Sequence, residues 1–427
     1  MIIVVCAFLV LLVAGVPIVF AMGVSAVLTL LTTSSIPLFI IAQRFYAGLD
    51  SFTIMAIPFF VMTGLIMETG GIARRIIELA TAIIGWVRGS LLMVSVGTGV
   101  GLAAISGSGS ADTAAVGSMM FPEMRRRKYD IDFSAAIIAA AGALGSVIPP
   151  SLIMIVVAVT ANVSIGGLFL SGILPGLLIA AGLMLVSYGH AKRGGPQYLD
   201  SQPFSLSRLG KSFVVALPAM LIPLIIVGGI VGGIFTATEA ACVAVIVGLL
   251  ISLFIYKEMK FSDLPKLIVR AVGLSAAVMI IIASASILSW LIASLGAPQK
   301  LAMFMQETAS SKFIFLILIT LLLLVVGMFM ESMSAVLILV PVLMPAVVAF
   351  GIDPLHFAAI VSLNLAVGVI TPPYGVCLFV AALTAKRSIA DVSSKAIWPL
   401  IPMLGVLLLV TFSEEFALLL PRMLGSG

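Results

Sequence analysis

Long apolar runs, separated only by short basic clusters, leave this chain few ways to fold. A segment surrounded by lipid must satisfy every backbone N–H and C=O internally, which restricts it to α-helices or a closed barrel. The runs are continuous rather than alternating, so they read as helices. Of the 427 residues, 62% are hydrophobic and 9% are charged, against about 25% charged in an ordinary soluble domain. At ~20 residues per span there is room for about a dozen crossings. A soluble domain, a disordered chain and a nucleic-acid binder are excluded. The net charge of +5 comes from clusters placed between apolar runs, which is the pattern of a topology signal.

Enzyme chemistry is poorly supplied. His190 and His356 lie far apart, and Cys6, Cys242 and Cys377 each sit inside apolar stretches. No CxxC, HExxH or GxxxxGK[ST] pattern occurs, so a zinc site, a redox pair and ATP use are not expected. The cysteines read as small buried hydrophobes.

Residues 2–33 read as two short helices broken at Gly15-Val16-Pro17, and not as a signal peptide, because no basic segment precedes the apolar run. Further spans are expected near 52–68, 132–163, 165–188, 213–234, 238–256, 271–295, 355–385 and 396–420. If residues 69–88, 124–130, 190–212, 256–270 and 385–395 face the cytoplasm, they hold 18 of the 22 Lys and Arg. That asymmetry sets the orientation and leaves the C-terminus outside. The richest cluster, Arg125-Arg126-Arg127-Lys128, reads as a topology determinant, with anionic lipid as the alternative role.

An internal repeat organises the chain. Pro122 matches Pro345, Asp130 matches Asp353, Gly145 matches Gly368 and Pro149-Pro150 matches Pro372-Pro373, all at a shift of 223 residues. Ser164 then matches Ser388, and Pro175 matches Pro399, at 224, so one inserted residue explains the series. This divides the chain into N-terminal scaffold helices (1–51), repeat 1 (52–190), a linker with further scaffold helices (191–270) and repeat 2 (271–420). The stretch after 123 is basic, whereas its counterpart Phe350-Gly351-Ile352-Asp353 is not, so the repeats have opposite orientation. Inverted repeats are a signature of secondary transporters, with the binding site at the repeat interface near mid-membrane.

Within each repeat, one apolar segment has a polar tip. Residues 89–123 turn at Ser106-Gly107-Ser108-Gly109-Ser110-Ala111-Asp112, and the returning piece to Phe121 is read as about 11 residues, only ~17 Å of helix. That is too short to cross, so a re-entrant hairpin is expected. Residues 313–349 form its counterpart, turning at Gly327-Met328-Phe329-Met330-Glu331-Ser332-Met333-Ser334. After each hairpin comes a broken helix, 132–163 around Pro149-Pro150 and 355–385 around Pro372-Pro373. Tandem prolines remove two donors and bare the carbonyls four residues earlier. Such carbonyls, facing Ser/Gly-rich tips, suit a hard cation such as sodium, with the hydroxyls of Ser106, Ser110 and Thr371 added. Half-helix N-termini at the tips favour an anionic substrate group.

The sodium ligands are accordingly expected among Ser106, Gly107, Ser110, Gly145, Val147 and Pro149, and among Gly327, Met330, Ser332, Gly368, Ile370 and Thr371. Substrate is placed between the tips, near Ser108, Ser110, Ser332, Ser334 and Tyr374. Asn162 and Asn364, on the broken helices, either face substrate or bond neighbouring helices. Asp112 and Glu331 are the acids at the tips, each a helix cap or a coupling group. Glu239 is expected to open the helix at 238–256 as a first-turn acid.

These residues resemble the large membrane subunit of TRAP (tripartite ATP-independent periplasmic) transporters, DctM-like. The resemblance rests on Ser106-Gly107-Ser108-Gly109-Ser110-Ala111, Ile148-Pro149-Pro150-Ser151, Ser164-Ile165-Gly166, Gly172-Ile173-Leu174-Pro175-Gly176, Thr236-Ala237-Thr238-Glu239-Ala240 and Thr371-Pro372-Pro373-Tyr374-Gly375. It implies an all-α polytopic, elevator-type transporter of the ion-transporter superfamily in a bacterial inner membrane. It implies sodium coupling and uptake of an organic acid such as a C4-dicarboxylate, sialic acid or another sugar acid. It also implies two partners, a small four-helix membrane subunit (DctQ-like) and a periplasmic substrate-binding protein. The rival reading is a proton-coupled carrier or antiporter of organic anions, working without a binding protein, with Glu331 or Asp112 carrying the proton.

Overall fold

A computed structural model describes residues 2–33, 36–52, 54–199, 204–296 and 311–425; the side chain of Ser106 is among a few outside the described set. The described residues form helices and no strand. The chain is an all-α polytopic membrane protein of two inverted repeats. The N-terminal run does split at the Gly-Val-Pro interruption, into α1 (Ile2–Val13) and α2 (Ile18–Thr33). Then come α3 (Phe39–Ala47), α4 (Ala56–Thr69) and α5 (Ile72–Ile84). The sequence reading left α3 unassigned and placed residues 69–88 in a loop. The α5 helix carries Arg74, Arg75 and Glu78 on an otherwise apolar turn, and α4 and α5 are bent by 66° at the Gly70-Gly71 break. Such an amphipathic helix lies along an interface rather than across it.

The first hairpin pairs α6 (Ser90–Ser106) with α7 (Gly109–Arg126). The expected 11-residue return arm is a correction: α7 has 18 residues, ~27 Å at 1.5 Å per residue. The helix runs past Pro122 into the basic cluster because Glu123 pairs with Arg126 at 2.7 Å and Arg127 at 2.6 Å. Next come α8 (Ile131–Ala143), a tight turn at Leu144–Ser146 and α9 (Leu152–Ala161). The long α10 (Ile165–Arg193) follows, then α11 (Leu206–Val231), α12 (Ala237–Leu250, continued as a wider turn to Ile255) and α13 (Leu264–Ser294). Glu239 closes a capping box with Thr236, as its position in the sequence suggested.

The second hairpin is α14 (Lys312–Phe329) with α15 (Ser332–Ala349), followed by α16 (Pro354–Gly368), α17 (Val376–Thr384) and α18 (Ile389–Phe412). The expected span 396–420 is not one helix. It begins at Ile389 and stops at Phe412, where Ser413 caps a short turn, α19 (Glu414–Ala417), that leads to α20 (Leu419–Met423). The repeat shift recurs in the helix boundaries. The first arms end at Ser106 and Phe329, the second open at Gly109 and Ser332 and close at Arg126 and Ala349, and the broken helices start at Ile131 and Pro354. Several matched residues prove to be caps. Asp130 and Asp353 cap α8 and α16, and Ser164 and Ser388 cap α10 and α18.

Length alone would let the arms of both hairpins cross the membrane. Their tips decide otherwise, because each meets the break of a broken helix, with α9 (10 residues) or α17 (9 residues) still to run beyond it. Inversion follows from α18, 24 residues long and so ~36 Å from end to end. Just before its start, Arg387 forms a two-pronged pair with Asp132 (2.6 and 2.7 Å), and Arg125 bonds the Ala385 carbonyl, at the mouth of hairpin 1. Just after its end, Glu414 takes Lys312 at 3.3 Å, at the mouth of hairpin 2. The hairpins therefore enter from opposite faces.

The basic segments are bonded to one another. Arg88 donates to the carbonyls of Ala191 (2.9 Å) and Gly194 (3.2 Å), and Arg75 pairs with Glu258. The core lies around the breaks: α8 is buried from Phe133 to Ala143 and α16 from Leu355 to Gly368. By contrast α11 and α13 expose Val214, Leu224 and Val269, as helices facing hydrocarbon do at no hydrophobic cost.

Candidate functional site

Both tips are seated by glycine. Gly107 has φ +61°, and a Cβ there would lie 2.8 Å from Leu152 N and 3.0 Å from Pro150 O, so only glycine lets the first tip rest on the first break. A Cβ on Gly145 would come within 2.7 Å of the Asp112 Oδ2, which fixes α7 against the turn after α8. In the second repeat Gly327 and Gly368 pack backbone on backbone, where a Cβ on Gly368 would be 2.7 Å from the Gly327 Cα.

The two breaks differ in how they close. Pro149 and Pro150 offer no N–H to the carbonyls of Gly145 and Ser146. At the second break, the Gly368 carbonyl accepts from Thr371 N–H (3.0 Å) and the Val369 carbonyl from Cys377 N–H (2.9 Å). Gly375 N–H also reaches back to the Met328 carbonyl at 3.3 Å, tying the loop to the hairpin. Thr371 donates its hydroxyl proton to the Val367 carbonyl (2.7 Å), which leaves its oxygen lone pairs to face outward.

Between tips and breaks lies a cavity of about 90 Å³. Hairpin 1 contributes Gly107, Ser108, Gly109 and Ser110, and hairpin 2 contributes Glu331, Ser332 and Met333. The breaks add Ser146, Leu152, Ile153, Val369, Val376 and Cys377. Four helices begin at this wall, α7, α9, α15 and α17. Each N-terminus carries about half a positive charge and unpaired N–H groups. No Lys or Arg is among the described lining residues. The arrangement can hold an anionic group by backbone N–H and hydroxyl donors alone.

Of the residues expected at the site, Gly107, Ser108, Ser110, Glu331 and Ser332 meet at this cavity. Glu331 is the cap of α15, accepting Ser334 N–H at 3.1 Å. Asp112 is buried one turn inside α7, whose cap position is Ser108, so its capping role is not realised. Asn162 is an exposed C-cap at the far end of α9, with φ +55°, away from the cavity. Tyr374 is half exposed and stacks on Phe379 (5.9 Å between ring centres) rather than lining the cavity. Ser334 is buried in the first turn of α15, and Asn364 is fully buried in α16 with no partner for either amide atom. Val147 lies against Gly172 of α10 and lines a separate small cavity with Met154 and Ser171. Pro149 and Ile370 lie within the breaks, and Met330 follows α14 in extended conformation. The side chain of Ser106 lies outside the described residues.

Sequence reasoning missed Ser146, Leu152, Ile153, Met333, Val369, Val376 and Cys377. Ser146 and Val369 fall inside the motifs around the prolines, so the signal was present. The apolar wall residues carried none, since a membrane helix is apolar on every face. Cys377, expected to be merely buried, stands 3.3 Å from where a Cβ of Gly109 would be and closes the floor.

The family model described as "Tripartite ATP-independent periplasmic transporter, DctM component" matches residues 5–416. The chain is 42% identical over 95% of its length to the isethionate TRAP transporter permease protein DctMQ of Oleidesulfovibrio alaskensis, a longer protein of which it spans 64%. It is 36% identical to the C4-dicarboxylate TRAP transporter large permease protein DctM of Rhodobacter capsulatus, covering 97% of each chain. To the sialic acid large permease protein SiaM of Vibrio cholerae it is also 36% identical, covering 98% of this chain and 97% of that one. Its fold is shared with the YdaH transporter of Alcanivorax borkumensis (TM-score 0.64, 15% identity, 87% and 86% covered). The MtrF protein of Neisseria gonorrhoeae is similar too (TM-score 0.58, 14% identity, 89% and 83% covered). With the family model over nearly its whole length and an inverted-repeat membrane fold, the chain belongs to the DctM family, the large permease subunits of tripartite ATP-independent periplasmic transporters.

Proposed function

We propose that this protein is the transmembrane path of a sodium-driven importer of an organic acid. The observation that carries this reading is the single cavity at which four helix N-termini from two inverted repeats converge without a basic side chain. Relatives named for isethionate, C4-dicarboxylates and sialic acid all handle small organic anions, which supports an acid as the substrate. The substrate's anionic end binds the N–H groups of Ser110 and Ser332 and the hydroxyls beside them.

Sodium fits the donor set. Among the described residues no group of three His, Cys, Asp or Glu could hold a transition metal, whereas carbonyls and hydroxyls cluster at both breaks, the oxygen ligands a hard cation takes. One ion sits at Ser106–Ser110 with Gly145–Pro150, the other at Gly327–Ser332 with Gly368–Pro372. Sodium orders the tips, so the substrate meets a preformed cavity; that differential is the coupling. The unit around the breaks carries the cavity across the membrane in an elevator movement. The basic face is cytoplasmic, the C-terminus periplasmic, and the membrane the bacterial inner membrane. A separate DctQ-like small subunit and a periplasmic binding protein complete the transporter.

Uptake into proteoliposomes holding all three components tests this. Uptake is expected to follow an imposed sodium gradient at constant pH. Uptake that follows a proton gradient and ignores sodium overturns the reading and favours Asp112, the buried acid of the first tip, as a proton carrier; Asp112→Asn would then abolish the pH response. Replacing Thr371 with Val is expected to raise the half-saturating sodium concentration, and an unchanged sodium response removes Thr371 from the ligand set.

A further inference from the structure

A larger cavity, about 480 Å³, opens on the basic face between α10 and α18, apart from the cavity at the tips. Its walls are of two kinds. Val186 on α10, Phe133 on α8 and the half-exposed Trp398 on α18 form an apolar side that continues onto lipid-facing helix surface. The other side is polar, with Asp130, His190, Arg193 and Gln197.

The polar side is built rather than incidental. His190 is stacked on Phe133 (3.7 Å between ring centres, 6° between planes), and its Nε2 lies 3.3 Å from the hydroxyl of Tyr198, which is 2% exposed. That hydroxyl accepts the Asp130 N–H at 3.1 Å. The Asp130 Oδ1 caps α8, while its Oδ2 stands 4.0 Å from the His190 Nε2 and stays a third exposed. The 194–199 segment that closes the floor is pinned in turn by Arg88 and by the bond from Gly89 N–H to the Tyr198 carbonyl (2.9 Å).

One fixed anion and one fixed cation therefore share a half-apolar cavity at the membrane rim. A purely anionic headgroup would meet Asp130 and the negative C-terminal end of α10. A zwitterion with its ammonium inward and its phosphate outward satisfies both charges. We propose that this cavity is a phospholipid site that takes phosphatidylethanolamine, with the ammonium on Asp130, the phosphate on Arg193 and Gln197, and one acyl chain along Val186 and Trp398. The lipid fills the cleft between α10 and α18 and braces the corner where hairpin 1 meets the chain leaving for α11.

Gly189 makes a clean test. It lines the cavity, and a Cβ there would meet nothing within 4 Å, so Gly189→Phe fills the space without displacing neighbours. Delipidated full-length protein in detergent is titrated with dioleoyl phosphatidylethanolamine or dioleoyl phosphatidylglycerol, and bound lipid is counted by native mass spectrometry. Loss of one charge-assisted contact is worth about tenfold in affinity, so the ethanolamine lipid is expected to bind about tenfold more tightly than the glycerol lipid. Asp130→Asn keeps a good cap residue and is expected to equalise the two lipids. Gly189→Phe, with an unchanged melting temperature, is expected to remove the bound lipid. Retention of the ethanolamine lipid by Gly189→Phe, or equal affinity for both lipids in the unaltered protein, overturns the proposal. Soluble glycerophosphoethanolamine that competes at concentrations equal to the lipid's would assign the cavity to a free phosphate ester and overturn the membrane source.

Discussion

The two breaks descend from one pattern yet close by different means, and the difference is a single residue. In repeat 1 the residue after Pro149-Pro150 is Ser151, whose hydroxyl caps α9 by accepting Met154 N–H at 3.4 Å. In repeat 2 two residues, Tyr374 and Gly375, stand between Pro373 and α17. Gly375 takes φ +41° and provides no side-chain cap, and Tyr374 is carried outward onto Phe379. The extra length lets the second loop satisfy its own carbonyls, through Thr371 and Cys377, and reach Met328. The first loop stays tight, covered by Gly107 and pressed by Asp112. The acids differ as well. At the repeat shift Asp112 corresponds to Ala335 and Glu331 to Ser108. Pseudosymmetry fixes where the breaks fall; local loop length decides which groups they offer.

Substitutions at matched places can break this contrast. Gly107→Val should have the largest effect: a β-branched residue at positive φ costs about 1–2 kcal/mol or more before its clash with Leu152 N is counted. Reconstituted uptake should be abolished although the protein still inserts, and uptake within about twofold of the original would mean the tip does not rest on the break. Next comes Gly368→Ala, which drives a methyl into the Gly327 backbone. Overpacking of this kind costs about 1–3 kcal/mol, so the melting temperature should fall, and an unshifted value would show that the second hairpin is loosely held. Ser151→Ala should cost about 1 kcal/mol through the lost cap, while Gly375→Ala tests the other closing device by the same thermal measurement. If Ser151→Ala is neutral, hydroxyl capping is not what closes the first break. The smallest effects belong to Asn162→Ala and Tyr374→Ala. Both lie off the cavity, and the KM for uptake should stay within about twofold; a larger rise for Tyr374→Ala would put its ring back at the site.

Much of the architecture was legible in the residues. The tandem prolines located both breaks, the Ser/Gly tips located both hairpins, and Asp130, Asp353, Ser164 and Ser388 announced helix starts through cap chemistry. The arm length of hairpin 1 was misjudged because Arg125 and Arg126 read as loop, whereas their pairing with Glu123 and the corner at Ala385 keeps them helical. Helix α5 was missed for a similar reason, its basic residues having been counted as a connection rather than as one face of a helix.

The sequence by itself determined the class, the number of repeats, their opposite sense and the family, because lipid length, charge placement and a fixed shift are properties of the linear chain. Only the tertiary structure decided which side chains share the cavity. Ser110, Ser146, Ser332 and Cys377 come from four segments up to 267 residues apart, and an all-round apolar helix has no periodicity to say which face turns inward. Tyr374 and Asn162 left the site, and Val376 and Cys377 entered it, because the one-residue difference between the loops rotates everything that follows. Distance along the chain carries no record of that rotation; packing of one tip against two breaks does.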